Sequence, residues 1–294
     1  MGTNIRKITG VISQILLFSF LVTSFSFGQD ANADNKNQLK VMTFNIRYGN
    51  ADDGANKWEN RKQLLFDVIK SYNPDVFGMQ EALKFQIDEI IGQLPNYLSV
   101  GVGRDDGKEK GEFSPVLFSK ERFKVDTTET FWLSDTPEIP GSKNWGNDIT
   151  RICSWAKLTD KLTNKSFYFF NTHVDHISAE SRVKSAQAIT TKIQQMSELL
   201  PVILTGDFNT GEDDETIKTI KSSGLMDTYR ILHPKSDNEG TFHNFTGDDK
   251  GVKIDFIFVS RDFKILQSMI DKTNKDDHYP SDHFPVQTIL EFAR

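Results

Sequence analysis

The chain has 294 residues, 37% of them hydrophobic, and a formal net charge of −6. These values are typical of a globular protein with one large domain or two small ones. The acidic balance disfavours, without excluding, the binding of duplex DNA by charge alone, because that binding normally uses a basic surface. Cys153 is the only cysteine, so an internal disulfide is excluded and stability must come from packing.

Residues 1–28 have the features of a secretory signal. Arg6 and Lys7 precede an apolar run from Val11 to Phe27, and Gly28 is small enough for a signal-peptidase site. A membrane anchor is the alternative, but the run is short for a bilayer span and is interrupted by serine and threonine. We therefore predict a periplasmic or secreted protein without stable membrane insertion after cleavage. Loss of the signal would change the net charge from −6 to −8.

The rest of the chain divides into a polar lead-in, residues 29–38, and one continuous domain, residues 39–294. Short apolar runs predict strands at 39–45, 75–80, 114–119, 151–158, 166–172, 202–205, 253–259, 263–269 and 286–292. Helical spacing of apolar residues predicts helices at 58–72, 83–94, 179–200 and 216–222. Asn56 and Glu59 have the spacing of a capping box for the first helix, and Gly224 is a plausible C-terminal cap for the last. Alternating strands and helices with extra strands indicate an α/β sandwich.

Polar side chains occur where the predicted strands end or begin. They are Asn45, Glu81, His173, Asp207, Asn209, Asp255, Asp282 and His283. Because strand ends of a packed sheet share one edge, these distant segments can converge on one cleft. Carboxylate oxygens such as those of Glu81 and Asp282 suit Mg²⁺ or Mn²⁺, and the sequence has no cysteine cluster for a structural zinc site.

Six motifs carry a family resemblance. They are Thr43-Phe44-Asn45, Gln80-Glu81, Asn171-Thr172-His173, Gly206-Asp207-Phe208-Asn209, Ile254-Asp255 and Ser281-Asp282-His283. In this order they resemble the motifs of the endonuclease/exonuclease/phosphatase superfamily, which includes the DNase I-like nucleases, and the resemblance spans residues 39–294. Longer stretches around Asn45, Arg104 and His173 are similar to an exported bacterial subgroup. The resemblance implies an α/β four-layer sandwich of two packed mixed β-sheets flanked by helices.

The resemblance also implies a role for each site residue. Glu81 is the implied principal metal ligand, with Asn45 and Asp282 helping to arrange metal and water. Asp207 is implied to orient or deprotonate the attacking water, and Asn209 to hold that water or a phosphate oxygen.

Two histidines are implied to contact the phosphoryl oxygens and stabilise developing charge: His283, oriented by Asp255, and His173. Whether His283 or Asp207 is the base stays open. For Asp255, a position on the exposed face of an alternating strand is the alternative.

Two arginines are candidate substrate-binding residues. Arg47 stands where some nucleases of the superfamily carry an acidic residue, which favours its direct contact with a substrate anion. Arg151 is the second candidate, although a surface salt bridge explains it equally well. Arg104 lies in a charged stretch that we expect to be a solvated loop, with this side chain as a candidate for the cleft rim. For Cys153 we expect a buried packing role.

Other residues are better explained by packing than by chemistry. We expect packing rather than substrate stacking for the four tryptophans, Trp58, Trp132, Trp145 and Trp155. Asp175 and His176 follow the motif histidine, and a loop-stabilising hydrogen bond explains them as well as a role in the site does.

The leading functional prediction is metal-assisted hydrolysis of a phosphodiester or phosphomonoester by in-line attack of water on phosphorus. The expected partner is a small or locally recognised phosphate ester. A secreted nuclease acting on nucleic acid is the first alternative, and it calls for a basic groove that this acidic domain does not suggest. A non-catalytic binding module would lack a ligand or histidine, and a carbohydrate-processing role has no direct support from the motifs. The leaving group and the oligomeric state are not predicted.

Overall fold

Two six-stranded sheets form the centre of the structure, a computed structural model that describes residues 1–2 and 37–293. The strands are β1 (Gln38–Asn45), β2 (Val76–Gln80), β3 (Tyr97–Val100), β4 (Val116–Ser119), β5 (Phe123–Trp132), β6 (Ile152–Asp160), β7 (Ser166–His173), β8 (Val202–Asp207), β9 (Met226–Asp227), β10 (Asp255–Val259), β11 (Phe263–Ile270) and β12 (Val286–Phe292). The helices are α1 (Trp58–Tyr72), α2 (Lys84–Gln93), α3 (Ala179–Gln194), α4 (Glu215–Ser222) and α5 (Thr228–Leu232).

Residues 3–36, which include most of the predicted signal and lead-in, lie outside the described part of the chain. Within residues 1–2 and 37–293, no helix has both the length and the apolar character needed to cross a membrane.

Both sheets are mixed. The first has the strand order β11-β12-β1-β2-β4-β3 and the second has the order β5-β6-β7-β8-β10-β9. β1 pairs in parallel with β2, and β7 pairs in parallel with β8. The antiparallel pairs include β1 with β12 and β8 with β10. In each sheet the parallel pair lies near the centre and brings two strand ends to the same edge.

Alternating side chains of the strands build three apolar layers. Val41 of β1 and Phe169 of β7 belong to the core between the sheets. The next residue of each strand points the other way: Met42 packs with α1 and α2, and Phe170 packs with α3 and α4. The order of layers is helix, sheet, sheet, helix, which confirms the predicted four-layer sandwich.

The predicted strands are all present, with ends shifted by a few residues, but three strands were missed. β5 is an edge strand whose central residues are polar and mostly exposed, so it has no apolar run to reveal it. β3 and β9 are short, with four and two residues. The short helix α5 was missed as well. These elements exist because neighbouring strands pair or pack with them.

Two predicted helix features were wrong. Helix α3 ends at Gln194 instead of Leu200: the Met196 N–H bonds to the Ile193 carbonyl, three residues back, so the α-helical pattern does not continue. Leu200 still packs against the core from the following loop. The capping box at α1 does not form: the helix begins after Lys57 without a side-chain cap, since Asn56 belongs to a separate 3-10 turn.

A buried polar contact joins the two sheets beneath their shared edge. Asn171 of β7 donates to the Met79 and Pro115 carbonyls at 2.6 and 2.9 Å and accepts from Gln80 Nε2 at 2.7 Å. A Cβ at Gly78 would lie 2.2 Å from Asn171 Oδ1, so the sheets approach this closely only because residue 78 has no side chain. The contact fixes the relative position of the strand ends that carry the site.

Candidate active site

The predicted site residues converge at one edge of the two sheets. Asn45, His173 and Asp207 end β1, β7 and β8, and Glu81 follows β2. Asp255 is the first residue of β10, and it pairs with Asp207 because β10 runs antiparallel to β8. A cleft of about 390 Å³ opens here, and it is lined by Arg47, Tyr48, Glu81, Arg104, Glu112, Ile149, Arg151, His173, His176, Asp207, Asn209, Phe242, Ile254, Asp282 and His283.

The amide of Asn45 links carboxylates from the two sheets. Its Nδ2 donates to Asp207 Oδ2 at 2.9 Å and to Glu81 Oε1 at 3.1 Å. Asp207 Oδ1 accepts from the Asn209 N–H at 2.8 Å. Asp207 is 1% exposed, and burial raises the pKa of its carboxyl to about 7. The bonds from Asn45 and Asn209 hold both carboxylate oxygens in place at the cleft.

His283 lies between two carboxylates. Its Nδ1 is 2.9 Å from Asp255 Oδ2, and its Nε2 is 3.8 Å from Asp207 Oδ2. Burial lowers the pKa of His283, but the charges of Asp255 and Asp207 outweigh burial and raise that pKa overall. Asp255 is fully buried, in contact with His283, and therefore not on an exposed strand face. The arrangement fixes the proton on Nδ1 and points Nε2 at the cleft.

His173 has a different environment. Burial and the nearby charges of Arg151 and Arg104 lower its pKa well below the usual value, which keeps the ring neutral. Asn209 Nδ2 donates to the Val174 carbonyl at 3.0 Å, which fixes the orientation of its amide, and the same nitrogen lies 2.9 Å from His173 Nε2. This hydrogen-bond pattern assigns an acceptor role to Nε2. His173 thus holds Asn209 in place.

Three site residues have a left-handed backbone. Arg47, Glu81 and Asn209 have φ values of 59°, 60° and 49°. For side chains other than glycine this conformation costs free energy and persists only where the surroundings enforce it. Each of these residues directly follows, or lies two positions after, the end of a strand, so the turn redirects its side chain from the sheet into the cleft.

The donor set at the cleft suits a hard divalent cation. Glu81 and Asp282 offer carboxylate oxygen atoms to the cleft, and Glu81 is already oriented by the Tyr48 N–H at 2.7 Å. The oxygen of the predicted ligand Asn45 accepts from the Arg47 N–H at 3.0 Å. Burial raises the pKa of Asp282, and the charge of Glu81 adds to the rise, so a cation would relieve a real repulsion. Atoms of Asp207, Asp255 and His283 also lie within 4.8 Å of one another. That group is less suitable, because both ring nitrogens of His283 already face carboxylates.

Carboxylates hold the guanidinium group of Arg47. Its guanidinium forms two hydrogen bonds with Asp53, at 2.8 and 3.0 Å, and lies 3.7 Å from Asp282. The side chain lines the cleft, as predicted for a substrate-binding residue, but much of its charge is neutralised by Asp53. Its contact with a substrate anion stays a prediction.

Buried Arg61 connects two site segments, and sequence reasoning missed it. Its guanidinium donates to the carbonyls of Ile46, Arg47 and Pro280 at 2.7 to 3.0 Å. The first two follow β1, and the third precedes Asp282. The residue spacing within α1 does not indicate this role, because the role depends on contacts distant in sequence, such as the bond from Arg61 to Pro280, 219 positions away.

A basic wall completes the cleft. Arg151 is 3% exposed, so the interpretation as a surface salt bridge is wrong. Its guanidinium pairs instead with buried Asp175 at 3.4 Å and lies 3.0 Å from His176 Nδ1. Arg104 lines the same cleft and pairs with Glu112 at 2.6 Å, while its Nε has no hydrogen-bond partner. The two guanidinium groups provide donors suited to phosphate oxygens.

The packing predictions for other residues are confirmed. All four tryptophans are at most 7% exposed, and Cys153 is fully buried, where burial raises the pKa of its thiol. Phe242 and Glu112 line the cleft without having been singled out from the sequence. Both lie on loops whose position depends on tertiary contacts.

Comparison with known proteins identifies the family of this chain. A solved endonuclease/exonuclease/phosphatase family protein of Bacteroides thetaiotaomicron is 36% identical, with a TM-score of 0.83 over 87% of this chain and 95% of that chain. A mannosyl-6-phosphatase of the same organism is 36% identical, with a TM-score of 0.81 over 86% of this chain and 100% of that chain. An uncharacterized protein of Acanthamoeba polyphaga mimivirus is 29% identical over 272 residues, which cover 86% of this chain and 100% of the relative. The sequence model of the Endonuclease/Exonuclease/phosphatase family matches residues 42–283. The chain therefore belongs to the endonuclease/exonuclease/phosphatase family and is a hydrolase of phosphate esters.

Proposed function

We propose that this protein removes phosphate from a small monoester, with a hexose 6-phosphate as the leading substrate and Mg²⁺ or Mn²⁺ as the cofactor. The cleft carries this proposal: its volume of about 390 Å³ suits one sugar phosphate, and Arg104 and Arg151 together suit a terminal phosphate dianion. The similarity to a mannosyl-6-phosphatase at 36% identity supports the same substrate class.

The residues suggest how water attacks the phosphate. Asp207 accepts a hydrogen bond from the attacking water, and the left-handed turn places Asn209 beside it. His283, held by Asp255, directs Nε2 to a phosphoryl oxygen and stabilises the charge that develops there. Arg151 and Arg104 hold the non-reacting oxygens and keep the phosphate in line with the water.

Glu81, Asp282 and Asn45 would hold the divalent cation, whose chemistry is to polarise the phosphoryl oxygen and acidify the bound water. The oxygen-only set favours Mg²⁺ or Mn²⁺ over a zinc site, which normally includes nitrogen or sulfur ligands.

Long duplex DNA is a poorer substrate for this surface. A protein that neutralises six or more phosphates loses roughly a thousandfold or more in affinity between low and physiological salt, and it needs a matching number of basic contacts. This chain has 35 basic and 41 acidic residues, so it lacks the excess of basic groups that such binding uses. Local recognition of one phosphate is consistent with this balance.

A panel of phosphate esters tests the proposal. Mannose 6-phosphate, glycerol 3-phosphate, bis-(p-nitrophenyl) phosphate and duplex DNA are compared at fixed Mg²⁺ across a salt series, with Glu81→Gln as the control for background hydrolysis. We expect the highest kcat/KM for the hexose monoester, with a shallow salt slope. A preference for DNA by orders of magnitude with a steep slope would instead establish the nuclease alternative.

We further infer that the enzyme acts outside the cytoplasm and belongs to an exported bacterial subgroup. The signal-like features of residues 1–28 support export, and the 36% identity to two Bacteroides proteins supports the bacterial relationship only. Cell fractionation of the tagged protein, with N-terminal sequencing of the product, tests it: an intact Met1 in the cytoplasmic fraction would oppose it.

A further inference from the structure

Phe242 combines exposure with a fixed position at the mouth of the cleft. Of the large hydrophobic side chains exposed in the described part of the chain, it is the one that lines this cleft, and it is 49% exposed. Exposed apolar rings are ordinarily unremarkable when they stand alone on a surface. Phe242 does not stand alone, because its ring lies beside His283 in the cleft where we propose that the substrate binds.

The backbone on both sides of Phe242 is anchored to the catalytic segments. The preceding residue, Thr241, is fully buried, and its Oγ1 accepts from the N–H groups of Ile254 and Asp255 at 3.0 and 3.1 Å. The Thr241 carbonyl accepts from the Phe284 N–H at 2.8 Å. These bonds fix the loop against the strand that carries Asp255.

The following residue, His243, is anchored as firmly. It is 4% exposed, its N–H donates to the Asp282 carbonyl at 2.8 Å, and its ring stacks on Phe284 with a centroid separation of 3.9 Å. Phe242 itself forms an isolated antiparallel bridge with His283. The ring is therefore exposed on a rigid support, so a ligand that covers it loses little conformational entropy in the protein.

The Phe242 ring lies where it can contact the leaving group of the substrate. The Phe242 ring lies 5.1 Å from the His283 ring, centroid to centroid, at an angle of 58°. The cleft also includes the polar side chains of Tyr48, Arg104 and His176, together with Ile149 and Ile254. An apolar ring together with hydrogen-bonding groups is the combination that suits a sugar, which has a C–H face and a hydroxyl edge.

We propose that Phe242 is a specificity-determining residue on which the sugar ring of the leaving group stacks through its C–H face. This inference rests on the proposed phosphatase function and adds the residue that selects a cyclic leaving group over an open-chain one. The phosphate contacts described above are common to every monoester, whereas contact with Phe242 needs a ring next to the phosphate. Selectivity for the leaving group should therefore depend on this side chain.

The experiment compares Phe242→Ala, Phe242→Trp and the control Phe85→Ala, an exposed phenylalanine that packs against Trp58 instead of lining the cleft. For Phe242→Ala we expect kcat/KM on mannose 6-phosphate to fall about tenfold, mainly through KM, and to change by no more than about twofold on glycerol 3-phosphate. Phe242→Trp should retain the preference for the ring, and Phe85→Ala should change neither substrate.

Equal losses on both substrates would overturn the proposal, because they would show that Phe242 only supports His283. No loss on either would overturn it as well. Failure of the proposed function has a separate signature: the wild-type enzyme would then hydrolyse neither monoester and would turn over a diester. In that event p-nitrophenyl methyl phosphate and dimethyl phosphate provide the same comparison with and without a ring, and an unchanged ratio in Phe242→Ala would refute the stacking.

Discussion

Replacement of Asp255 by asparagine isolates the electrostatic role of one buried carboxylate. Asp255 Oδ2 accepts from His283 Nδ1 at 2.9 Å, and the carboxylate is fully buried. Asparagine has nearly the same shape, but its amide can donate to Nδ1. The exchange therefore moves the imidazole proton to Nε2 and removes the negative charge that stabilises the protonated ring.

The size of the expected effect follows from these two changes. The charge of Asp255 is the largest influence that raises the pKa of His283 against its burial. Without it, burial dominates and the ring stays neutral, so it no longer carries the positive charge that stabilises the phosphoryl oxygen. A group acting in the transition state typically contributes a hundredfold or more, so we expect kcat to fall by at least about a hundredfold, or about 2.7 kcal/mol of barrier.

The assay is steady-state hydrolysis of the best phosphate ester, with thermal unfolding measured on the same samples. Asp160→Asn is the matched control, because Asp160 is a fully buried carboxylate at the far end of β6 that accepts from Arg122 at 3.0 Å. It should lower Tm without lowering kcat. If Asp255→Asn kept kcat within about threefold of wild type, the orientation of His283 by a charge would be refuted.

Three further predictions address the metal, the reacting groups and the frame. Glu81→Gln should fold normally but need far more Mg²⁺ for activity, whereas full turnover of this variant in excess chelator would contradict the metal assignment. Asp207→Asn and His283→Ala should each lower kcat by at least about a hundredfold, and the double variant should lose less than the product of the single losses; a full product would indicate independent roles. Asn171→Ala leaves the buried Met79 and Pro115 carbonyls and the Gln80 amide without this partner. Chemical denaturation should therefore show a loss of about 3–5 kcal/mol in the free energy of unfolding. A loss below about 1 kcal/mol would contradict the bridging role of Asn171.

The sequence predicted the elements whose own residues determine them. Helix α1 was predicted with its observed ends, because its apolar spacing is regular and Pro74 follows it. The capping interaction was wrong, since Asn56 has the right chemistry but a neighbouring 3-10 turn moves it away. Strand β5 escaped prediction because its polar central residues suit a solvent-facing edge. Local composition is insufficient where the neighbours decide the structure.

The same distinction applies to the site. Strand-end residues such as Asn45 and Asp207 were brought together as predicted, because parallel pairing places strand ends at one edge. The partners of Arg47 and the role of Arg61 were not predictable, since both depend on how loops return to the cleft. Phe242 was equally hidden: its anchoring needs the pairing of its loop with residues some 40 positions further along the chain.

The site residues adopt conformations that only long-range contacts within the fold can enforce. Glu81 and Asn209 adopt left-handed backbone conformations that cost roughly 1–3 kcal/mol each, and Asp207 is buried close to another carboxylate. None of these features is favourable alone. Each is enforced by contacts that reach across the molecule: Asn45 holds both Glu81 and Asp207, and Arg61 holds the segments that follow β1 and precede Asp282. Because Asn45 joins Glu81 of the first sheet to Asp207 of the second, this part of the site can form only when the sheets have packed together. The cleft is therefore a product of the tertiary fold and not of any single motif.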